Sequence, residues 1–262
     1  MRWRGSVAQN LRMSVRKDHY MLWHAWLPLA VFLVLATLLT TTDIDLYIAD
    51  AFFYDPTTAS WVGKDTWWVG KVLHTGGRNV MRALGIFGLF ALIASYIPAL
   101  AARWPALLVH RRPLGYFVAC MALVPLLVGG LKQVTNIDCP WDLERYGGTR
   151  PFVHIFEDRP DALPRAACFP GAHSSSGFAL LCLYFLGWRT GRMRALAGLA
   201  IGLLVGVTFS LAQQSRGAHL LSHDLWSGFI AWAICFALYR YAWRSDLSSR
   251  PLVSPADPYR DS

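Results

Sequence analysis

Charged residues are scarce in this sequence. Asp, Glu, Lys and Arg make up 16% of the 262 residues, whereas hydrophobic residues make up 55%. Soluble domains carry about 25% charged residues, so this composition argues against a soluble protein. The apolar residues also cluster in runs of about 18 or more, a length that crosses a bilayer as a helix. We therefore predict an all-α, polytopic membrane helical bundle.

Acidic residues are fewer than basic ones, 16 against 25, which gives a net charge of +9. A basic chain could bind nucleic acid, but here Lys and Arg stand in short clusters between apolar runs. That arrangement is typical of the cytoplasmic loops of membrane proteins, and we expect no nucleic-acid partner. A cleavable signal peptide is not indicated either, because residues 40–43 (Thr-Thr-Thr-Asp) are a poor cleavage site.

About six transmembrane helices are predicted. They cover approximately residues 23–39, 81–100, 114–131, 170–188, 195–212 and 220–241. The two ends of the chain and every second connection are basic and short, while the other connections contain the acidic residues. With both termini in the cytoplasm, every connection obeys the positive-inside rule.

Three regions follow from these spans. Residues 1–22 are a basic cytoplasmic tail, residues 23–243 form the six-span membrane domain, and residues 244–262 are a cytoplasmic tail rich in Pro, Ser and Asp that we expect to be disordered. Two outer loops, residues 43–79 and 133–169, leave the membrane domain. Loops as long as the second are usually functional or disordered.

Ionisable residues concentrate at three span ends, all predicted to lie on the non-cytoplasmic side. Lys132 ends the third span, His173 begins the fourth, and residues 215–224 join the fifth and sixth. Each ionisable group costs roughly 2.5 kcal/mol or more at bilayer depth, so this concentration requires a functional reason. Lys132 and Arg216 are suited to hold phosphate oxygens, and a histidine whose tautomer is fixed can attack phosphorus.

These stretches resemble the phosphatidic acid phosphatase type 2 family, which shares its phosphate pocket with vanadium haloperoxidases. The first family motif is Lys, six residues, then Arg-Pro; here Lys132 is followed after six residues by Cys139 and Pro140. The second motif is Pro-Ser-Gly-His, and residues 170–173 read Pro-Gly-Ala-His. The chain therefore lacks the Arg of the first motif and the Ser of the second.

The third family motif is Ser-Arg, five residues, His, three residues, Asp. Here only two residues separate Ser215-Arg216 from His219, and Asp224 lies five residues beyond that histidine. The resemblance implies that His219 is the nucleophile of a phosphohistidine intermediate and that Asp224 orients it. It also implies that His173 is the general acid, that Lys132 and Arg216 hold the phosphate, and that no metal or cofactor is needed.

The altered spacing leaves alternatives open. His223 lies four residues after His219, where the family has its Asp, so His223 could orient His219 or could itself be the nucleophile. A metal held by these two histidines is not expected, because no third ligand is spaced to match. Arg145 and Arg150 are candidates to replace the missing Arg, and Ser174 is a candidate to replace the missing Ser.

Two of the five cysteines, Cys139 and Cys168, bracket the second outer loop. On the outer face of a bacterial inner membrane they would meet an oxidising compartment, so a disulfide between them is a candidate. It would close a loop of about 30 residues and stabilise the fold by roughly 3 kcal/mol.

The function expected from the resemblance is that of a lipid phosphatase. It would hydrolyse a phosphate monoester or pyrophosphate on a lipid headgroup, with its site on the periplasmic side of the inner membrane. Membrane lipids and a lipid phosphate would be its partners. The alternatives are a lipid phosphotransferase that uses the same pocket, and a non-enzymatic lipid-binding or transport protein with a decayed pocket.

Overall fold

The computed structural model describes residues 18–243, which are almost entirely helical. Within that range the sheet structure is one antiparallel hairpin, β1 (Tyr54–Asp55) and β2 (Ser60–Trp61). The prediction of an all-α, polytopic helical bundle is confirmed. Residues 1–17 of the predicted N-terminal tail and the predicted C-terminal tail, 244–262, lie outside the described residues.

Five of the described helices are long and apolar enough to cross a membrane, which indicates a membrane protein. They cover Asp18–Thr41, Trp68–Ala94, Arg111–Asp142, Arg192–Ser215 and Leu221–Ala242. The other predicted span is a broken segment of 7, 3 and 7 residues: α-helix, 3-10 turn and α-helix. Because the other helices enclose this segment, it lies inside the bundle without having the length of its neighbours.

The regular helices run in chain order from α1 to α10. They are α1 (Leu27–Thr41), α2 (Ile44–Phe52), α3 (Gly77–Ala94), α4 (Pro98–Arg103), α5 (Ala106–Val109), α6 (Arg111–Thr135), α7 (Ala172–Phe178), α8 (Cys182–Trp188), α9 (Arg192–Ser215) and α10 (Leu221–Ala242). Two of them are preceded by a π-helix, Leu22–Trp26 before α1 and Trp68–Gly76 before α3. The second span thus begins earlier than predicted, and the first outer loop is largely helical.

Three glycines on α9 allow the closest helix packing in the bundle core. Gly198, Gly202 and Gly206 recur every fourth residue and face the segment from α7 to α8. A Cβ atom on Gly202 would lie 2.7 Å from the backbone nitrogen of Leu181, and one on Gly198 would lie 2.5 Å from the backbone of Leu183. Such stripes of small residues are how membrane helices bring their backbones together.

The second outer loop is tied down at both ends. Cys139 and Cys168 form a disulfide, with their Cα atoms 5.1 Å apart. The backbone N–H of Trp141 donates to the carbonyl of Gly217 over 2.9 Å. This hydrogen bond fixes the loop against the turn between α9 and α10, where Gly217 has a left-handed φ of 72°.

The glycine stripe yields a stability prediction. Gly202→Ala should lower the free energy of unfolding by about 1–3 kcal/mol, because the added methyl group overlaps a backbone that cannot move aside. Thermal unfolding in detergent, followed by circular dichroism, measures the change.

The matched control is Gly129→Ala in α6, where a Cβ atom would meet no heavy atom within 4 Å. That variant should be neutral or slightly stabilised, since alanine is the better helix former. Equal melting temperatures for the two variants would contradict the packing described for α9.

Candidate active site

The three polar stretches of the sequence meet at one end of the bundle. Lys132 lies in the last turn of α6, His173 in the first turn of α7, and Arg216 directly after α9. His219 and Asp224 flank the start of α10. Since α7 packs against α6, α9 and α10, these helix ends surround a common centre.

His219 and Asp224 form a buried pair at this centre. The Nδ1 atom of His219 lies 2.9 Å from Oδ1 of Asp224, and both side chains are only 3% exposed. The other carboxylate oxygen accepts a hydrogen bond of 2.9 Å from Nε2 of Gln214. Asp224 sits in the first turn of α10, where the helix dipole favours a negative charge. An ionised Asp224 selects the tautomer of His219 with a proton on Nδ1, which leaves a lone pair on Nε2.

His223 does not take part in this pair. Its side chain is buried against Phe169, with ring centroids 5.4 Å apart, and its ring centroid is 6.0 Å from that of His219. Its Nδ1 atom has no hydrogen-bond partner among residues 18–243. The geometry therefore favours Asp224 over His223 as the group that orients His219.

His173 lies beside the pair in a partly aromatic environment. Its ring stacks on Phe209 at a centroid distance of 4.4 Å, and its Nε2 atom is buried without a hydrogen-bond partner in the described part of the chain. A second ring, that of His74, lies 4.8 Å from His173. Sequence reasoning gave His74 no role, because its π-helix is not visible as a pattern of residues.

Gly171 explains one departure from the second motif. A Cβ atom on this residue would lie 2.6 Å from both Oδ1 of Asp224 and Oγ of Ser174, and 2.7 Å from Cε1 of His219. A serine here would therefore collide with the His219 pair. The hydroxyl of Ser174 is fully buried, donates to the carbonyl of Gly171 over 2.9 Å and lies against Asp224.

Arg216 lies beside an open cleft next to the outer loops. It donates to Oε1 of Gln213 over 2.9 Å and borders an open cleft of about 340 Å³. Trp61, Lys64 and Trp141 line the rest of this cleft. Arg216 therefore lies between the buried pair and a cleft with cationic and aromatic walls.

Lys132 and Arg216 give the site a positive charge. Lys132 is half-buried and close enough to Asp224 for a charge interaction. No group of three His, Cys, Asp or Glu residues in the range 18–243 is placed to hold a metal ion. An anion at the centre would therefore meet lysine, arginine and histidine side chains.

The two loop arginines proposed from the sequence are bound by carboxylates. Arg145 pairs with Asp50 over 2.5 Å, and its guanidinium holds the pKa of that carboxyl below its usual value. Arg150 pairs with Asp138, a carboxylate that Arg159 also contacts over 2.7 Å. The structure thus brings Lys132, His173, Ser174, Arg216, His219 and Asp224 together, with His223 behind them, and uses Arg145 and Arg150 in ion pairs that hold the outer loops.

Asp45 of α2 positions the start of α10. Its Oδ1 atom accepts a hydrogen bond of 3.1 Å from the backbone N–H of Ser222, in the first turn of that helix. It therefore accepts a hydrogen bond from one of the N–H groups that have no partner within the first turn of the helix. The two residues are 177 positions apart in the sequence. Burial raises the pKa of Asp45 to about 6, against an opposing effect of the hydrogen bonds from Ser222.

A protein-family model matches about half of the chain. The model described as the PAP2 superfamily matches residues 113–246, which is 134 of the 262 residues and includes all three polar stretches. The match begins after α3, so His74 lies outside it. No curated protein and no solved structure matches the chain.

Asp45 yields a prediction of pH dependence. Its pKa is higher in the folded chain than the ordinary value of 3.8, so the folded state binds the proton more tightly than the unfolded state. Stability from this group is therefore present at pH 4 and lost as the pH rises through about 6. Asp45→Asn keeps an acceptor for Ser222 and removes the charge, so it should be more stable than the wild type at pH 7.5 and similar to it at pH 4.

The measurement is the melting temperature at both pH values. Asp55→Asn is the control, because hydrogen bonds from Thr57 lower the pKa of the Asp55 carboxyl and the sign is reversed. Asp55→Asn should therefore be less stable than the wild type at pH 7.5. If Asp45→Asn were also less stable at pH 7.5, burial would not be the dominant effect on Asp45.

Proposed function

Since the chain belongs to the PAP2 superfamily, whose members are phosphatases that act on phosphate esters, we propose that it is a membrane-embedded lipid phosphatase. It hydrolyses a phosphate monoester or pyrophosphate on a lipid headgroup through a phosphohistidine intermediate, without a metal ion. The observation that supports this most directly is the contact of 2.9 Å between His219 Nδ1 and Asp224 Oδ1. It leaves the other ring nitrogen of His219 as a nucleophile.

The reaction proceeds in two steps. Nε2 of His219 attacks phosphorus, the bond from phosphorus to the ester oxygen breaks, and His173 gives that oxygen a proton. Water then attacks the phosphohistidine and gives a proton to His173, which releases inorganic phosphate and restores both histidines. Lys132 and Arg216 balance the charge on the phosphate oxygens throughout. The partnerless Nε2 of His173 is available for the leaving oxygen.

The substrate is proposed to be a lipid because of where the site lies. The reacting side chains stand at the ends of membrane-spanning helices, so a phosphate attached to a membrane lipid reaches them by lateral diffusion. A lipid that enters between the spans keeps its acyl chains in the bilayer while its headgroup meets His219.

The charge distribution supports a site on the periplasmic side of a bacterial inner membrane. At the bundle end opposite the site, Arg112 and Arg189 stack on Trp243, at 5.2 and 4.8 Å from the ring centroid. A basic end of this kind favours the cytoplasm. The site, at the other end, would then face the periplasm.

The test is phosphate release by the purified, full-length protein in detergent, on a panel of lipid phosphates with EDTA present. His219→Ala should reduce turnover by about 10³-fold or more, and His173→Ala by about 10²- to 10⁴-fold. His223→Gln should retain turnover, because His223 does not contact Asp224. Loss with His223→Gln and retention with His219→Ala would instead make His223 the nucleophile.

Other outcomes separate the alternative functions. Release that requires an added acceptor lipid would indicate a phosphotransferase that uses the same phosphohistidine. Binding of a lipid phosphate with no turnover under either condition would indicate a non-enzymatic protein. A wild type that EDTA inactivates, and that a divalent metal restores, would refute the metal-free reaction.

A further inference from the structure

The outer loop does not replace the cation that the first motif lacks. Cys139 occupies the position of the motif arginine and is committed to a disulfide with Cys168. Arg145 and Arg150, the nearby arginines of the loop, are bound to carboxylates. If the site takes a phosphate with two negative charges, a further positive group must come from another element.

The second span also reaches the site. His74, in the π-helix before α3, lies with its ring centroid 4.8 Å from that of His173. It is also close enough to Lys132, Arg216 and His219 for charge interactions. One helical turn later, Arg78 interacts with the charges of both His74 and His173. No carboxylate pairs with Arg78 anywhere in residues 18–243.

Local backbone features hold this helix against the site. The π-helix Trp68–Gly76 has about one residue more per turn than an α-helix. Turns of π-helix are frequently found at functional sites. Directly after it, a Cβ atom on Gly77 would lie 2.6 Å from the ring of Phe209, the same ring that stacks on His173. The absence of a side chain at Gly77 therefore lets His74 and Arg78 approach the centre.

We propose that His74 and Arg78 bind the substrate phosphate and supply the contacts that the first motif lacks. This inference rests on the proposed function. Together with Lys132 and Arg216, whose charges also act on His74, they place four positive groups near the phosphate, next to the histidine that protonates the leaving oxygen. The guanidinium of Arg78 can contact two phosphate oxygens at once.

Phosphate binding in the absence of turnover tests the proposal. The probe is inorganic phosphate, and its Kd is measured by calorimetry on the full-length protein in detergent. Arg78→Gln should weaken binding roughly 10- to 100-fold, the usual effect of losing hydrogen bonds to a charged group. Arg78→Lys should recover part of the loss, because it restores the charge without the two-pronged geometry.

His74→Gln gives a second readout. The loss of affinity should be larger at pH 5.5 than at pH 8, because only the protonated imidazole carries a charge and protonation increases as the pH falls. The groups that face His74 are His173, His219, Lys132, Arg78 and Arg216, and all of them are unchanged in this variant. A loss that is equal at both pH values would refute a charged contact from His74.

The matched control is Arg82→Gln, one turn further along α3, because Arg78 and not Arg82 is among the charges that act on His74 and His173. Its Kd should equal that of the wild type. If Arg78→Gln also matches the wild type while the wild type binds phosphate and turns over lipid, the inference is refuted and the proposed function stands. A wild type that neither binds phosphate nor releases it would refute both.

Discussion

The buried contact between His219 and Asp224 is the constraint on which the rest of the site depends. A carboxylate that is 3% exposed must have partners, because an uncompensated buried charge costs several kcal/mol. Asp224 is satisfied by His219, by Gln214 and by its place in the first turn of α10. Gln214 lies at the end of α9, His219 lies in the turn that follows and Asp224 lies in the first turn of α10, so the pair exists only when these three elements are in place.

Close backbone approach is the second requirement, and glycine provides it. Gly171 gives space to the His219 pair, and the glycines of α9 bring the segment with His173 against that helix. The replaced Ser of the second motif is a consequence of the same crowding. Ser174, one turn later, fills with its hydroxyl the space that a side chain at position 171 would need.

The second outer loop supports the site and does not supply its charge. Asp138 holds Arg150 and Arg159, and Asp50 holds Arg145, so the loop arginines stabilise the covering structure. The cations that face the centre lie at helix ends, where long side chains reach it from a rigid base. Because the cations at the centre come from helix ends and not from this loop, the centre is positive although the chain lacks the motif arginine.

The sequence by itself determined the helical membrane fold and most of the site. Long apolar runs require helices in a bilayer, and the motif order makes Lys132, His173, Arg216, His219 and Asp224 the candidate site residues. The sequence could not decide between His223 and Asp224, because one inserted residue shifts the spacing and only the turn at Gly217 shows which side chain reaches His219. It could not show that Arg145 and Arg150 are bound elsewhere, nor that a π-helix brings His74 to His173. Except for Arg150 and Asp138, the residues in these contacts are 95 or more positions apart in the sequence. Only tertiary packing brings such residues together.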